Sequence, residues 1–502
     1  MHGISDPPRS DQTLVTDIDV REVGRVQSIR EFLVTATGMP SCFNGQIVEF
    51  AQGNLGLVMG FKEDETQILV LDLNLNLRIG DEIYNRGQSL ELPVGEAFLG
   101  RMVNGLCDPV DGLGPIEAAG RYPVFTEAPA VMERIPVEKT FETGTLVIDA
   151  VLPIAKGQRQ LLIGDRLTGK TTVALDAILN QKKDGVICIY CCVGKPYASL
   201  MKILDLLRER GMMDSSIIVN AASCASVGQQ YLAPYTAATL GEHFMRKGRD
   251  VFVVFDDLTK HAWIYRQISL LLERAPGREA YPGDIFYLHS QLMERAAYLR
   301  PELGGSMTFF PIVETLQGDM TGYIPTNIIS MTDGQLYFNS TLYYKGIKPP
   351  IDFGLSVSRI GNKAQWPAMR EICKNLRLEY LQYQELLEMT RLRASGLSEE
   401  AQKRLVRGEA MTQLFIQDKN KPLALMEQIV ILCALGAGIL DNFFAKEIKE
   451  FKKEAFRYVQ QEFPDVIKDI ESTRSLSPEN KKKIEGALSK CGRQIMVRGK
   501  KK

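Results

Sequence analysis

Gly164-Asp165-Arg166-Leu167-Thr168-Gly169-Lys170-Thr171 sets two glycines, a lysine and a hydroxyl residue at the spacing that holds phosphate. Glycines let the backbone curl so that its N–H groups converge on an anion. The lysine reaches the outer phosphates, and the Thr171 hydroxyl can take one position on a magnesium ion. A loop of this kind needs a strand to launch it and a helix to receive it. Gln160-Leu161-Leu162-Ile163 reads as the buried strand, and Thr172 to Leu179 carries the helical pattern. Both flanks argue against a chance match in a glycine-rich turn, so a nucleotide with Mg2+ is the expected ligand. A second chemical position follows downstream, where the apolar run Val251–Phe255 ends in Asp256-Asp257. An apolar strand ending in acids after a phosphate loop is where a magnesium-organising carboxylate belongs. Asp256 is expected to join Thr171 on the metal, with Asp257 starting the next helix. Taken alone, the pair could equally be two surface acids capping that helix.

The elements around these residues suggest three folded regions. Residues 1–22 are polar and carry Pro7-Pro8. Short β-rich runs (Phe32–Thr35, Gln46–Phe50, Gly56–Met59, Gln67–Leu71) alternate with turn residues and predict a small closed barrel over 23–92. Strand and helix patterns alternate over 93–365, as a mostly parallel nucleotide-binding α/β domain requires. Beyond Trp366 the pattern turns helical. Ile372, Leu376, Tyr380, Tyr383 and Leu387 form one stripe, and Ser398 before Glu399-Glu400 marks a helix start. A C-terminal helical bundle is expected over 366–502, ending in a short basic tail from Arg498.

Bulk composition bounds the function. The chain of 502 residues has 60 Lys and Arg against 61 Asp and Glu, a formal net charge of −1, which lacks the basic excess of a nucleic-acid binder. Cys188, Cys191 and Cys192 fall in one apolar run and would alternate across a strand, which disfavours a shared metal and predicts inert buried thiols in a reducing compartment. The start of the chain has no apolar signal core. The longest apolar stretch, Ile429–Leu440, is about half of a membrane span, so contact with a membrane is expected only through partners.

Beyond the phosphate loop, several motifs resemble the α subunits of F-type ATP synthases. They are Asp256–Lys260, Tyr265–Leu272, Pro276–Asp284, Ile324–Ser330 and Ser356-Val357-Ser358-Arg359-Ile360-Gly361. The resemblance runs in order from about residue 23 to about 440. It implies a regulatory subunit that binds ATP or ADP with Mg2+ without turning it over, alternating with catalytic β subunits in a hexamer around a γ stalk. A δ subunit or peripheral stalk, an ion-translocating membrane sector and the cytoplasmic face of a bacterial inner membrane are implied with it. Arg359 matches the arginine that α supplies in trans to the neighbouring β site, with Ser356 beside it. Such fingers contribute about a thousandfold or more to rate. Gly164, Asp165, Arg166, Leu167, Thr168, Gly169, Lys170, Thr171 and Thr172 match the nucleotide loop, with Leu167 where a glutamine is usual. Tyr343, Lys348 and Pro349 match the adenine-side wall, Lys348 standing for an arginine. Gln417 matches one of two adenine-side glutamines, and Lys419 stands for the other.

Two departures bear on function. Catalytic relatives end the strand after the loop's helix in a glutamate that orients the attacking water, whereas here Val193-Gly194-Lys195 follows. A charged lysine cannot accept that proton, so turnover at this site is expected to be slow or absent. Residues 1–22 lack the apolar stripe of the family's stalk-binding helix. A self-sufficient hexameric ATPase of the protein-export type shares the domain plan, but it needs the missing glutamate. A ring helicase would need a basic aromatic platform in the barrel, and residues 23–92 offer only Phe32, Phe43, Phe50, Phe61 and Tyr84.

Overall fold

Alternating burial shapes the first of two units in the computed structural model, which describes residues 22–72, 76–392 and 398–500 and divides after Leu90. Six strands close into a barrel in the order β1-β2-β5-β4-β3-β6. They are β1 (Glu22–Arg30), β2 (Leu33–Thr37), β3 (Gln46–Phe50), β4 (Leu55–Lys62), β5 (Glu65–Val70) and β6 (Glu82–Ser89). Val26, Val34, Val48, Phe50, Val58, Ile68 and Ile83 fill its interior. The four expected runs correspond to β2–β5. The closing pair, β1 and β6, did not stand out in the sequence because each sends few apolar residues inward. Asn85 of β6 is buried instead and donates to Glu22 Oε2 at 2.9 Å, so a polar contact helps to close the barrel. The expectation for the stalk-binding helix concerns residues 1–22, of which 1–21 lie outside the described residues.

The second unit, Glu91–Lys502, is built on a nine-stranded sheet. Its main path comprises β7 (Met102–Val103), β8 (Leu161–Asp165), β9 (Ile187–Val193), β10 (Ser216–Ala221), β11 (Val251–Asp256), β12 (Ser306–Thr315), β13 (Gly334–Phe338) and β14 (Val357–Ser358). These lie in the order β14-β13-β8-β12-β11-β9-β10-β7, with Ala297–Tyr298 pairing antiparallel to β12. Only that pairing and β13–β14 are antiparallel, and the rest of the ladder is parallel. Parallel strands are covered on both faces, so β9 and β11 are buried along their whole length. Cys188, Cys191 and Cys192 sit in β9, and burial pushes their thiols up, Cys192 to about 12. Helices α1 (Lys170–Asn180), α2 (Tyr197–Glu209) and α4 (Leu258–Leu271) supply residues to the site, and α3 (Val227–Arg246) packs on the sheet.

The C-terminal helices are α5 (Pro367–Cys373), α6 (Leu376–Leu392), α7 (Glu399–Phe415), α8 (Leu425–Gly436), α9 (Ala445–Glu462), α10 (Pro464–Thr473) and α11 (Pro478–Lys500). The stripe from Ile372 to Leu387 is split between α5 and α6 at Lys374-Asn375, where asparagine favours a turn. Ser398 caps α7 by accepting from Ala401 N, and the apolar stretch from Ile429 is the buried α8. Arg498, expected in a free tail, lies on α11 and pairs with Glu454 at 3.1 Å. The core is continuous from the sheet into these helices. Buried Asp149 joins them, accepting from Thr143 N, Gly144 N and Gln428 Nε2. Among the described residues, no helix is long and apolar enough to cross a membrane.

Candidate functional site

β8 delivers the loop and α1 receives it. Gly164 has φ +154°, and a Cβ there would collide with the Phe338 carbonyl oxygen, so β13 approaches too closely for any side chain. Gly169 adopts φ +101° directly before Lys170, a left-handed turn that opens the helix N-terminus toward the cleft. Leu167 also has a positive φ, 66°, and is 83% exposed at the loop tip. Lys170 Nζ donates to the carbonyls of Gly164 (2.7 Å) and Asp165 (2.6 Å). Burial pushes its ammonium down to about 8, against the opposing pull of Glu314, Asp256 and Asp257. The Asp165 carboxylate is not presented to an anion. It accepts from Thr315 Oγ1, Gly318 N and Ser340 Oγ, and so ties the loop's base to its neighbours.

One carboxylate oxygen organises the far wall. Asp256 Oδ2 accepts from Thr171 Oγ1 (2.7 Å) and the Tyr190 hydroxyl (2.7 Å), and Lys195 Nζ lies 2.5 Å from it. Lys195 also donates to Thr171 Oγ1 at 3.0 Å. Asp256 is 1% exposed. Burial alone would raise its pKa, but Lys195 and the two hydroxyls hold it below the ordinary value. The same pairing keeps Lys195 above its ordinary value despite its own burial. Thr171 and Asp256 are the hard oxygen donors that Mg2+ takes, yet a fixed ammonium already engages both. Asp257 starts α4, its Oδ1 accepting from Lys260 N at 2.8 Å. Burial and then the Asp256 charge push it up to about 6.

Two clefts meet at the loop. The smaller, of about 380 Å³, is walled by Arg166, Lys170, Thr171, Lys195 and Asp256. The larger, of about 810 Å³, is walled by Tyr343, Lys348, Pro349, Gln417 and Lys419. Leu167, Gly169 and Thr172 line both, so the two clefts adjoin at the loop. Lys348 Nζ lies 4.6 Å from the centroid of the Tyr343 ring. The Gln417 amide is spent on backbone, accepting from Leu146 N and donating to the carbonyls of Gly144 and Lys421. It therefore braces the wall.

Glu314, at the end of β12, lines the smaller cleft and was not among the expected residues. Its signal was present: like Asp256 it follows an apolar run, Phe309–Val313. Arg359 lines neither cleft. It is exposed, and its backbone N–H bonds to Asp333 O at 2.9 Å. Asp333 in turn is gripped by Arg159 through two side-chain bonds of 2.7 and 3.0 Å. Ser356 is fully buried and its Oγ accepts from Tyr337 N at 2.9 Å, so it holds the loop to β13 and does not face outward. Arg377, also not anticipated, donates to the carbonyls of Phe353 and Ser356. The sequence marked Arg359 but not the polar contacts that hold its backbone and loop.

Comparisons with known proteins agree along most of the molecule. Residues 144–358 match the model of the ATP synthase alpha/beta family nucleotide-binding domain, and 365–491 match that of the C-terminal domain of the ATP synthase alpha/beta chain. The ATP synthase subunit alpha of Caldanaerobacter subterraneus is 40% identical over 485 residues, 96% of each chain. That of Aquifex aeolicus is 43% identical over 470 residues, 93% of each chain.

Proposed function

The chain belongs to the ATP synthase alpha/beta family, and we propose that it serves there as the α-type subunit, which holds a nucleotide and leaves turnover to the neighbouring site. The observation that carries this reading is Lys195. The strand end that presents a water-orienting glutamate in catalytic relatives here presents an ammonium bonded to Thr171 and Asp256. A cation in that position cannot take a proton from water. The protein-export alternative, which needs a base of its own, is not favoured beside relatives named ATP synthase subunit alpha.

The loop from Gly164 to Thr172 cradles the phosphates, with Arg166 and Lys170 supplying charge. Tyr343, Lys348, Pro349, Gln417 and Lys419 border the base and ribose. Two cations compete for the place beside the phosphates: Mg2+, for which Thr171 and Asp256 are the donors, and the Lys195 ammonium. Arg359, outside the clefts of its own subunit, reaches the site of a β-type partner, where it offsets charge on the transferred phosphoryl group. Ser356 positions it and does not touch the reacting atoms. The assembled enzyme makes or hydrolyses ATP coupled to ion movement. Its β, γ and δ-type subunits and its membrane sector place this chain at the cytoplasmic face of a bacterial membrane.

Measuring ATP binding and turnover by the purified chain, then co-purifying it with its partners, tests the reading. Tight binding with negligible turnover, and a partner carrying both a phosphate loop and a glutamate, are expected. Robust turnover by this chain alone would overturn it.

A further inference from the structure

We propose that Lys195 is a built-in replacement for the magnesium ion, so that this site takes ATP or ADP free of metal. The proposal rests on the nucleotide-site reading above and decides between its two cations. Lys195 Nζ contacts the same two oxygens, Thr171 Oγ1 and Asp256 Oδ2, that would have to bind the ion. Tyr190 donates to the same carboxylate oxygen from inside the sheet, so Asp256 keeps its place without a metal. An ammonium has three donors, and two of Lys195's are used here. The third is left for a phosphate oxygen in the cleft that Lys195 lines.

Charge balance points the same way. Arg166, Lys170, Lys195, Lys202 and Lys260 line the smaller cleft against the carboxylates of Asp256 and Glu314, with Asp257 paired to Lys260 at 3.7 Å. That surplus of positive charge can neutralise much of a nucleotide's phosphate charge. A magnesium ion seated on Thr171 and Asp256 would lie within contact distance of the Lys195 ammonium. Like charges so close, in a cleft that shields them poorly, strongly disfavour that arrangement. The ion could enter only by evicting Lys195 from its partner, leaving a displaced cation beside a dication. Mg2+ also gives up its water reluctantly and prefers octahedral oxygen sites, and Lys195 removes two of those positions.

The test is equilibrium binding of ATP to the full-length chain, with Mg2+ present and with EDTA, alongside bound Mn2+ measured by dialysis. The wild type is expected to bind ATP with affinities within about threefold in the two conditions, and to retain far less than one Mn2+ per ATP. Lys195→Gln should lose about tenfold or more in EDTA and retain stoichiometric Mn2+. Lys195→Arg, which keeps the charge, should remain metal-independent. A wild-type chain whose ATP affinity falls tenfold in EDTA, or which binds Mn2+ stoichiometrically with ATP, overturns the proposal while leaving the nucleotide site intact. No ATP binding in either condition defeats the nucleotide-site reading itself. The wild-type arms alone decide the matter if Lys195→Gln fails to fold.

Discussion

Asp176 lies on α1 and lines the larger cleft, with its Oδ1 buried and without a hydrogen-bond partner. Burial pushes its carboxyl up to about 7 from an ordinary 3.8. The folded state therefore keeps a proton over a range in which the unfolded chain has released it. The resulting stabilisation is fully present below about pH 4 and is lost as pH rises through about 7. Asp176→Asn, which cannot ionise, should flatten the pH dependence of urea unfolding in that window. It should add on the order of 2 kcal/mol at pH 8, and an unchanged pH profile would rule this out. At this scale the sequence showed residue types and spacing well: Lys170, Thr171 and Asp256 stand where their motifs put them. It could not show what side chains do with their partners. Asp165 faces away from the cleft, Ser356 points inward, and Lys195 takes both oxygens expected for a metal, because each depends on neighbours distant in the sequence.

Elements were legible where burial left an unbroken apolar run, as in β8, β9 and β11, and hidden where a polar pair closes the structure. The barrel's β1 and β6 belong to the second kind, joined through Asn85 and Glu22. A stronger case is α3, whose Glu242 grips Arg295 with bonds of 2.7 and 2.8 Å while both side chains are almost wholly buried. Arg295 also donates to Val124 O and Thr239 Oγ1, so its charge is paired and four of its five N–H groups have partners. Nothing in the local sequence pairs these residues, which are far apart along it. Removing one partner strands the other as a buried charge, which costs about 3–5 kcal/mol. Glu242→Ala should lower stability by that amount in chemical denaturation. A loss below about 1 kcal/mol would place the pair among interactions that water already screens.

For the whole molecule, Lys170 and Arg359 occupy different places: one lines the chain's own cleft and the other does not. Lys170 is buried in the chain's own loop, whereas Arg359 is exposed, lines neither cleft, and is held by Asp333, Arg159 and the Ser356 bracket. If each subunit turned over its own nucleotide, losing Lys170 would abolish activity and Arg359 would matter little. If this subunit lends its arginine to a neighbour, the order reverses. In the assembled complex, Arg359→Lys should reduce ATP turnover about a thousandfold or more, because lysine lacks the planar fork that spans two phosphoryl oxygens. ATP binding to this chain should stay unchanged, since Arg359 does not touch the cleft. Lys170→Ala should do the opposite, abolishing nucleotide retention by this chain while leaving turnover of the complex within about tenfold of the wild type. Retained nucleotide per complex and steady-state hydrolysis, measured on the same preparations, separate the two outcomes. A Lys170→Ala complex as inactive as Arg359→Lys would mean that this subunit's own nucleotide is being consumed.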